Sequence, residues 1–494
     1  MLKRVLANVG GRNGPARLGA WALFAASVGV VLFVILTTAP TRGLWFDEYW
    51  TLYLADPQIS PEALLYDAHG PVYSLLVRLA LTLGLGGAAA LITVNLMTTA
   101  MLAAAAFWLL YRSHGLHVAL AGIGVALGSA AVLTYLLEGR DYAMAQFTCL
   151  VLTAAALGQV AQRPTATWQV FAALGAACAA LHVFAAIYAG AIGAALVVLG
   201  MINKRRRDLA AGLAVGLGAC LATFAWALAA SEALFSTGVS WISGSLTYTL
   251  GQFWYLSKML AGAPQNALLL AGAIALCLLI RPARPYAILF VVTAAIFFGL
   301  PTLVSLVKPM LNGRYLTIAV PSLLVIAATT VVAAAQAGEP RRLRATACGA
   351  GGLFFAISLG LAPSVTDRFA AERAAYASDE LVAALAPCKD RRVRVMEGIP
   401  IIPGRKYLSG RDVLLYSYRS AVPLPDVLFD LSSGPVRDVA DYPCSIVAWG
   451  EQIVQFPLPF PSTDAALQRL NLTNRDNIPL VVETKNAGFI VRRQ

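Results

Sequence analysis

Residues 18–39 read LGAWALFAASVGVVLFVILTTA, a run of 22 residues without a single charge. A helix rises 1.5 Å per residue, so about 20 such residues cross the hydrocarbon core of a bilayer. Working outward from this run, uncharged apolar stretches of similar length recur at about 88–110, 117–136, 142–161, 166–183, 184–203, 209–230, 262–280, 285–307, 315–337 and 345–364. The sequence thus predicts eleven spans. The 494-residue chain is 59% hydrophobic and 13% charged, a balance that excludes an ordinary soluble enzyme. Lys3, Arg4, Arg12 and Arg17 precede the first run as in a secretory signal. The length of the run and its lack of an A-x-A cleavage site favour a permanent anchor.

From residue 366 the composition changes: Arg, Asp and Pro are scattered, and no apolar run is long enough to cross. Two domains are expected, a membrane module over 1–365 and a small mixed α/β soluble domain over 366–494. In the second, Val393–Met396, Ser445–Trp449, Pro479–Glu483 and Gly488–Val491 read as strands. Five of the seven cysteines lie in or beside apolar runs as small packing residues. Cys388 and Cys444 lie in the tail, where an oxidising compartment would allow them to pair. Asn471-Leu472-Thr473 fits a glycosylation sequon by pattern.

The net charge of +12 is explained by orientation, with no need for a nucleic-acid partner. Segments holding the N-terminal cluster, Arg112, Arg163, Lys204–Arg207, Arg281 with Arg284, and Arg341, Arg342 and Arg344 carry 15 basic residues against two acidic ones; the other membrane loops carry six against eight, and the tail 16 against 15. The positive-inside rule then places the N-terminus in the cytoplasm. Residues 71–86 are short for a span and carry Arg78, so they are expected to lie flat as an amphipathic helix in a first outer loop, 40–87. With that choice the spans alternate consistently, and the tail is extracytoplasmic.

Under this topology the chemistry-bearing residues fall on one face. Asp47-Glu48 stands among Trp45, Phe46, Tyr49 and Trp50, just past the first span. Adjacent carboxylates there serve either a ligand or the capping of a short surface helix. Further along the same loop comes His69-Gly70-Pro71-Val72-Tyr73. Glu138-Gly139-Arg140-Asp141-Tyr142 fills a tight loop, as an internal ion pair, a binding site or a solvated hairpin. His182 lies at the turn between two uncharged spans, and a lone His in that position is more often a packing residue. Lys308 and Arg314, before Tyr315, supply two cations without an acid, which suits a phosphate or lipid headgroups. No metal cluster is legible.

At these residues the sequence resembles the GT-C superfamily of membrane glycosyltransferases, in particular the family 39 group with the protein O-mannosyltransferases and the lipid A aminoarabinose transferases. Asp47-Glu48 matches the acidic pair after their first helix. His69-Gly70-Pro71-Val72-Tyr73 is similar to their His-Pro-Pro-Leu-Tyr stretch but departs at the first proline and the leucine. Glu138, Arg140 and Tyr142 match Glu-x-Arg-x-Tyr, His182-Val183-Phe184 looks like His-Tyr-Phe, and Arg314-Tyr315 like their late Arg-Tyr. The matches run in order through 1–337; the tail resembles nothing we can name.

The resemblance implies a GT-C fold and an inverting transfer of sugar from a polyprenyl-phosphate carrier to a lipid, glycan or protein hydroxyl, in building a cell-envelope glycan at a bacterial inner membrane. It implies Asp47 as general base and Glu48 as a residue shaping the site. Arg140, Lys308 and Arg314 would bind phosphate, Glu138 and His69 would orient sugar or acceptor, and Tyr73, Tyr142, His182 and Tyr315 would line the substrate. No cofactor is obligatory; a divalent cation is compatible but not required. Two rivals are a lipid-linked sugar flippase and a surface polysaccharide polymerase or ligase. The absence of internal repeats, and polar residues spread over four places rather than one large outer loop, argue against them.

Overall fold

The computed structural model describes residues 14–39, 46–57, 61–66, 69–230 and 245–337, together with five strands in the tail. In chain order the helices are α1 (Gly14–Thr38), α2 (Phe46–Ala55), a 3-10 turn (Pro61–Tyr66), α3 (Val72–Thr82), α4 (Gly87–His114), α5 (Leu116–Leu127), α6 (Ala130–Tyr135), α7 (Tyr142–Val160), α8 (Trp168–Leu181), α9 (Val183–Ile202), α10 (Arg206–Ala229), α11 (Leu246–Ala261), α12 (Pro264–Cys277), α13 (Arg284–Ser305), α14 (Gly313–Leu316) and α15 (Val320–Ala337). Backbone proximity divides the chain into two units. The first comprises Met1–Ala39, Asp67–Leu76 and Ile92–Val365; the second comprises Pro40–Tyr66, Val77–Leu91 and Thr366–Gln494.

Seven helices among the described residues are long and apolar enough to span a bilayer, and an eighth span arises if the bent pair α11 and α12 is taken as one. The chain is therefore an integral membrane protein. The expected count of eleven needs correction. Residues 117–136 are not one rod: the helix stops at Gly128 and restarts behind Ser129, whose hydroxyl accepts the Val132 N–H at 3.3 Å. Residues 166–183 yield only the 14-residue α8, ended by the extended backbone of His182. Residues 262–280 form the second arm of a pair bent by 71°, hinged where left-handed Gly262 ends α11 and Pro264 opens α12. The expected span at 345–364 lies outside the described residues, as do Cys388 and the sequon.

Helix α3 is the 11-residue segment expected to lie flat, and it is too short to cross. Tyr73, Val77 and Ala80 are buried, while Leu75 and Leu79 are exposed.

Within the first unit, α7 is the central rod: every residue except Met144 is buried. A helix apolar all round with neighbours on every side has no lipid face, which is why its sequence shows no amphipathic stripe. By contrast, Leu213, Leu217, Leu221, Phe224 and Leu228 of α10 recur at helical spacing and stay 59–66% exposed, as a face turned to hydrocarbon does. Its opposite face is built for close approach. A Cβ on Gly218 would strike the Ala172 carbonyl of α8, and one on Gly212 the Gly193 carbonyl of α9.

In the second unit, the buried Glu48, Leu52, Leu54 and Ala55 line α2. Arg78 Nη2 donates to the Pro57 carbonyl at 3.1 Å, and Gly87 sits against the Leu52 methyls. The tail contributes β1 (Val393–Met396), β2 (Phe429–Asp430), β3 (Cys444–Trp449), β4 (Leu480–Glu483) and β5 (Gly488–Arg493) to one sheet of order β2-β1-β3-β5-β4. β1 pairs parallel with β2 and β3, while β5 runs antiparallel to β3 and β4, with Ser445 opposite Arg492. Four of these strands fall on the segments that read as strands. The helical part of the expected mixed domain lies outside the described residues.

Candidate active site

The site is assembled at the N-terminal ends of α7, α9 and α14. The Glu138–Asp141 turn leads into α7: Glu138 N–H donates to the Tyr135 carbonyl at 3.2 Å, Arg140 N–H to the Glu138 carbonyl at 2.7 Å, and Ala145 N–H to the Asp141 carbonyl at 2.8 Å. Asn95 of α4 donates its side-chain amide to the Glu138 carbonyl. Glu138, Arg140, Asp141 and Tyr142 are all at most 5% exposed, which rules out a solvated hairpin.

Arg314 reaches this turn from α14. Its Nη1 lies 3.8 Å from Glu138 Oε1, and its guanidinium stands over the Tyr142 ring at 5.8 Å. The backbone beneath it is fixed by Asn312, whose side-chain oxygen accepts the Arg314 N–H at 2.9 Å, and by Gln252 of α11, which accepts the Gly313 N–H at 2.6 Å. Helix α11 also brings Tyr255, hydrogen-bonded through its hydroxyl to Tyr135 at 2.8 Å. Neither Tyr255 nor Gln252 was anticipated, because α11 mixes Thr, Gln, Ser and Lys with aromatics and reads as a loop.

His69 and His182 complete the cluster. Gly70 donates its N–H to the Leu181 carbonyl at 3.0 Å, and a Cβ on Gly70 would fall on the Ala180 carbonyl. This contact brings the two imidazoles together, with ring centroids 4.5 Å apart. It also explains the departure from the His-Pro-Pro pattern, since a proline at 70 has no N–H to donate and carries the forbidden Cβ. Tyr142 and Tyr315 lie nearly parallel at 6.3 Å and flank His182 at 5.7 and 5.2 Å.

Asp141 Oδ2 lies 3.6 Å from His69 Nδ1, too long for a hydrogen bond. Burial, then Arg140, then Arg314 hold the His69 pKa well below its ordinary 6.5 and so favour the neutral imidazole. His69, Asp141 and His182 each offer a ligand atom, all within 4.8 Å of one another. This trio was not legible in the sequence, because its members come from three separate loops.

Of the residues singled out from sequence, the structure joins His69, Glu138, Arg140, Tyr142, His182, Arg314 and Tyr315. Tyr73 is buried in the first turn of α3. Lys308 is exposed after the end of α13, and the contacts just described run through Arg314 without it. Asp47 and Glu48 belong to the second unit, where both lie on α2 and Glu48 is buried; the Asp47 side chain lies outside the described residues.

A bundle of membrane-spanning helices with a buried ionisable site at helix ends defines the class. Two crystal structures share its fold: ArnT from Cupriavidus metallidurans in the apo state, with a TM-score of 0.59 and 16% identity over 95% of this chain and 97% of that one, and the same protein bound to undecaprenyl phosphate, with a TM-score of 0.57 and 14% identity over the same shares. The chain therefore shares the fold of ArnT over nearly the whole of both chains. No family model and no curated protein matches the sequence.

Two outcomes are expected. Gly70→Ala drives a methyl into the Ala180 carbonyl and should cost about 1–3 kcal/mol or more, read as a lower melting temperature in detergent; an unchanged melting curve would show that the loop does not sit on α8. The second concerns pH. A depressed folded-state pKa means the unfolded chain binds the His69 proton first, so His69 contributes stability above pH 6.5 that is lost on acidification. His69→Asn should therefore flatten the fall in melting temperature below that pH, and a parallel curve would contradict the burial of a neutral imidazole.

Proposed function

We propose that this chain is a GT-C-type glycosyltransferase that moves a sugar from a polyprenyl-phosphate carrier to a hydroxyl acceptor on the extracytoplasmic face of the membrane, in building a cell-envelope glycan. The observation that carries the reading is the convergence of His69, Glu138, Arg140, Asp141, His182 and Arg314 within a fold shared over nearly its whole length with ArnT, one structure of which is bound to undecaprenyl phosphate. The acceptor hydroxyl belongs to a lipid, a glycan or a protein.

In this reading Asp47 removes the proton from the acceptor hydroxyl. The acceptor oxygen attacks the anomeric carbon from the side opposite the carrier, and the bond to the phosphate oxygen breaks with inversion. The electron pair leaves on the polyprenyl phosphate, a stable anion that needs no proton from the protein. Arg140 and Arg314 compensate the charge that gathers there, and Lys308 assists from the surface. Glu138 holds Arg314 in place, since a buried carboxylate and guanidinium fix one another. Glu48 shapes the acceptor side.

A flippase is the second reading, and the bend between α11 and α12 is the feature that favours it, because transporters use broken helices. The two differ in product: a transferase releases the bare carrier, a flippase leaves the sugar–phosphate bond intact. Purified protein incubated with a panel of polyprenyl-phosphate sugars and acceptor lipids should release polyprenyl phosphate. Movement of intact donor without release would decide for transport.

Asp47→Asn should abolish release while expression and membrane insertion persist; near-normal turnover would remove Asp47 as the base. Arg314→Ala should weaken donor binding more than acceptor binding. Because it removes the guanidinium that faces the buried Glu138, it should also lower the melting temperature. Donor affinity that does not change would end the phosphate role.

A further inference from the structure

His182 has one nitrogen committed to the fold. As the N-cap of α9 it accepts the Phe184 N–H on Nδ1 at 3.0 Å, so Nδ1 holds a lone pair. A neutral imidazole has one proton, which must then sit on Nε2. The residue is 1% exposed, and among the described residues Nε2 meets no hydrogen-bond acceptor. A donor is thus held, buried, beside His69, Asp141, Tyr142 and Tyr315.

Three ligand chemistries can be weighed against this donor. A divalent cation needs lone pairs alone. Binding it through Nε2 would move the ring proton to Nδ1, where it would face the Phe184 N–H and break the helix cap, and Arg140 and Arg314 add like charge nearby. A phosphate needs donors alone, yet Asp141 brings a carboxylate oxygen within 4.8 Å of the two imidazoles. A hydroxyl both gives and takes. It can accept from His182 Nε2–H and donate to the Asp141 carboxylate, while the Tyr142 and Tyr315 rings offer apolar faces to C–H groups.

We infer that His69, Asp141 and His182 form the hydroxyl-recognising subsite for the transferred sugar, with His182 as its fixed donor, and that the trio is neither a metal site nor the seat of the carrier phosphate. The inference rests on the proposed function and assigns within it which residues read the sugar and which the phosphate.

The test uses full-length protein in detergent and compares binding of bare undecaprenyl phosphate with that of undecaprenyl phosphate carrying hexoses or pentoses. His182→Asn is the informative variant. Asn keeps the cap through its side-chain oxygen but lacks a donor at the Nε2 position. Its melting temperature without ligand should match wild type, whereas its affinity for the preferred sugar-loaded carrier should fall about tenfold, with affinity for the bare carrier unchanged. His182→Gln, whose amide nitrogen reaches as far as Nε2, should recover part of the loss.

Equal loss for both ligands would mean a phosphate contact and overturn the inference, as would no loss for either, or a wild type that does not distinguish loaded from bare carrier. One equivalent of Zn²⁺ bound by wild type and lost in His182→Asn would overturn it in favour of a cation site. A wild type that binds no polyprenyl phosphate at all would instead remove the proposed function.

Discussion

Glu138, Arg140, Asp141 and His182 are buried in this bundle, with Arg314 and His69 partly so, and pairing and neutralisation are what make such a cluster tenable. Charge in a low-dielectric interior is costly unless it is paired or suppressed, and both remedies operate here. Glu138 has Arg314 at 3.8 Å and is fixed from behind by Asn95, while His69 sheds its proton under the pressure of burial and two guanidinium groups. Every other property of the site depends on this balance. Loss of Arg314 would take away the guanidinium 3.8 Å from the buried Glu138, at the head of the turn that carries Asp141 and Tyr142.

The balance is delivered by backbone. The Glu138–Asp141 turn, the α8–α9 junction and the Asn312–Arg314 turn each end an apolar helix, and helix ends leave backbone groups that need partners. Caps from His182 and Asn312, and the Gly70 N–H lent to Leu181, satisfy those groups. The same bonds set the angles at which functional side chains enter. Fold and site are therefore built from one set of hydrogen bonds, and Gly70 has to be glycine for both.

Membrane class and the run of long helices were legible because a bilayer demands long uncharged segments and little else produces them. Interruptions were not: Gly128-Ser129 and His182 are small or singly polar residues inside apolar runs, and hydropathy averages over them, although each ends a helix. Glu138, Arg140, Tyr142 and Arg314-Tyr315 could be picked out because their order matches a known series. Asp141 could not, since its role arises from two histidines distant in sequence. Lys308 looked equivalent to Arg314 by charge, yet only Arg314 has a capped turn to aim it inward.

A single residue, His182, closes α8 and opens α9, with Ala186 N–H already bonded to its carbonyl. Such a joint has no slack. Adding or removing one residue there would swing all of α9 by about 100° about its axis, carrying Gly193 away from Gly212 and turning packed faces toward lipid. Change in chain length should be excluded at this joint long after substitutions around it are accepted, so the register of half the bundle is written into one position.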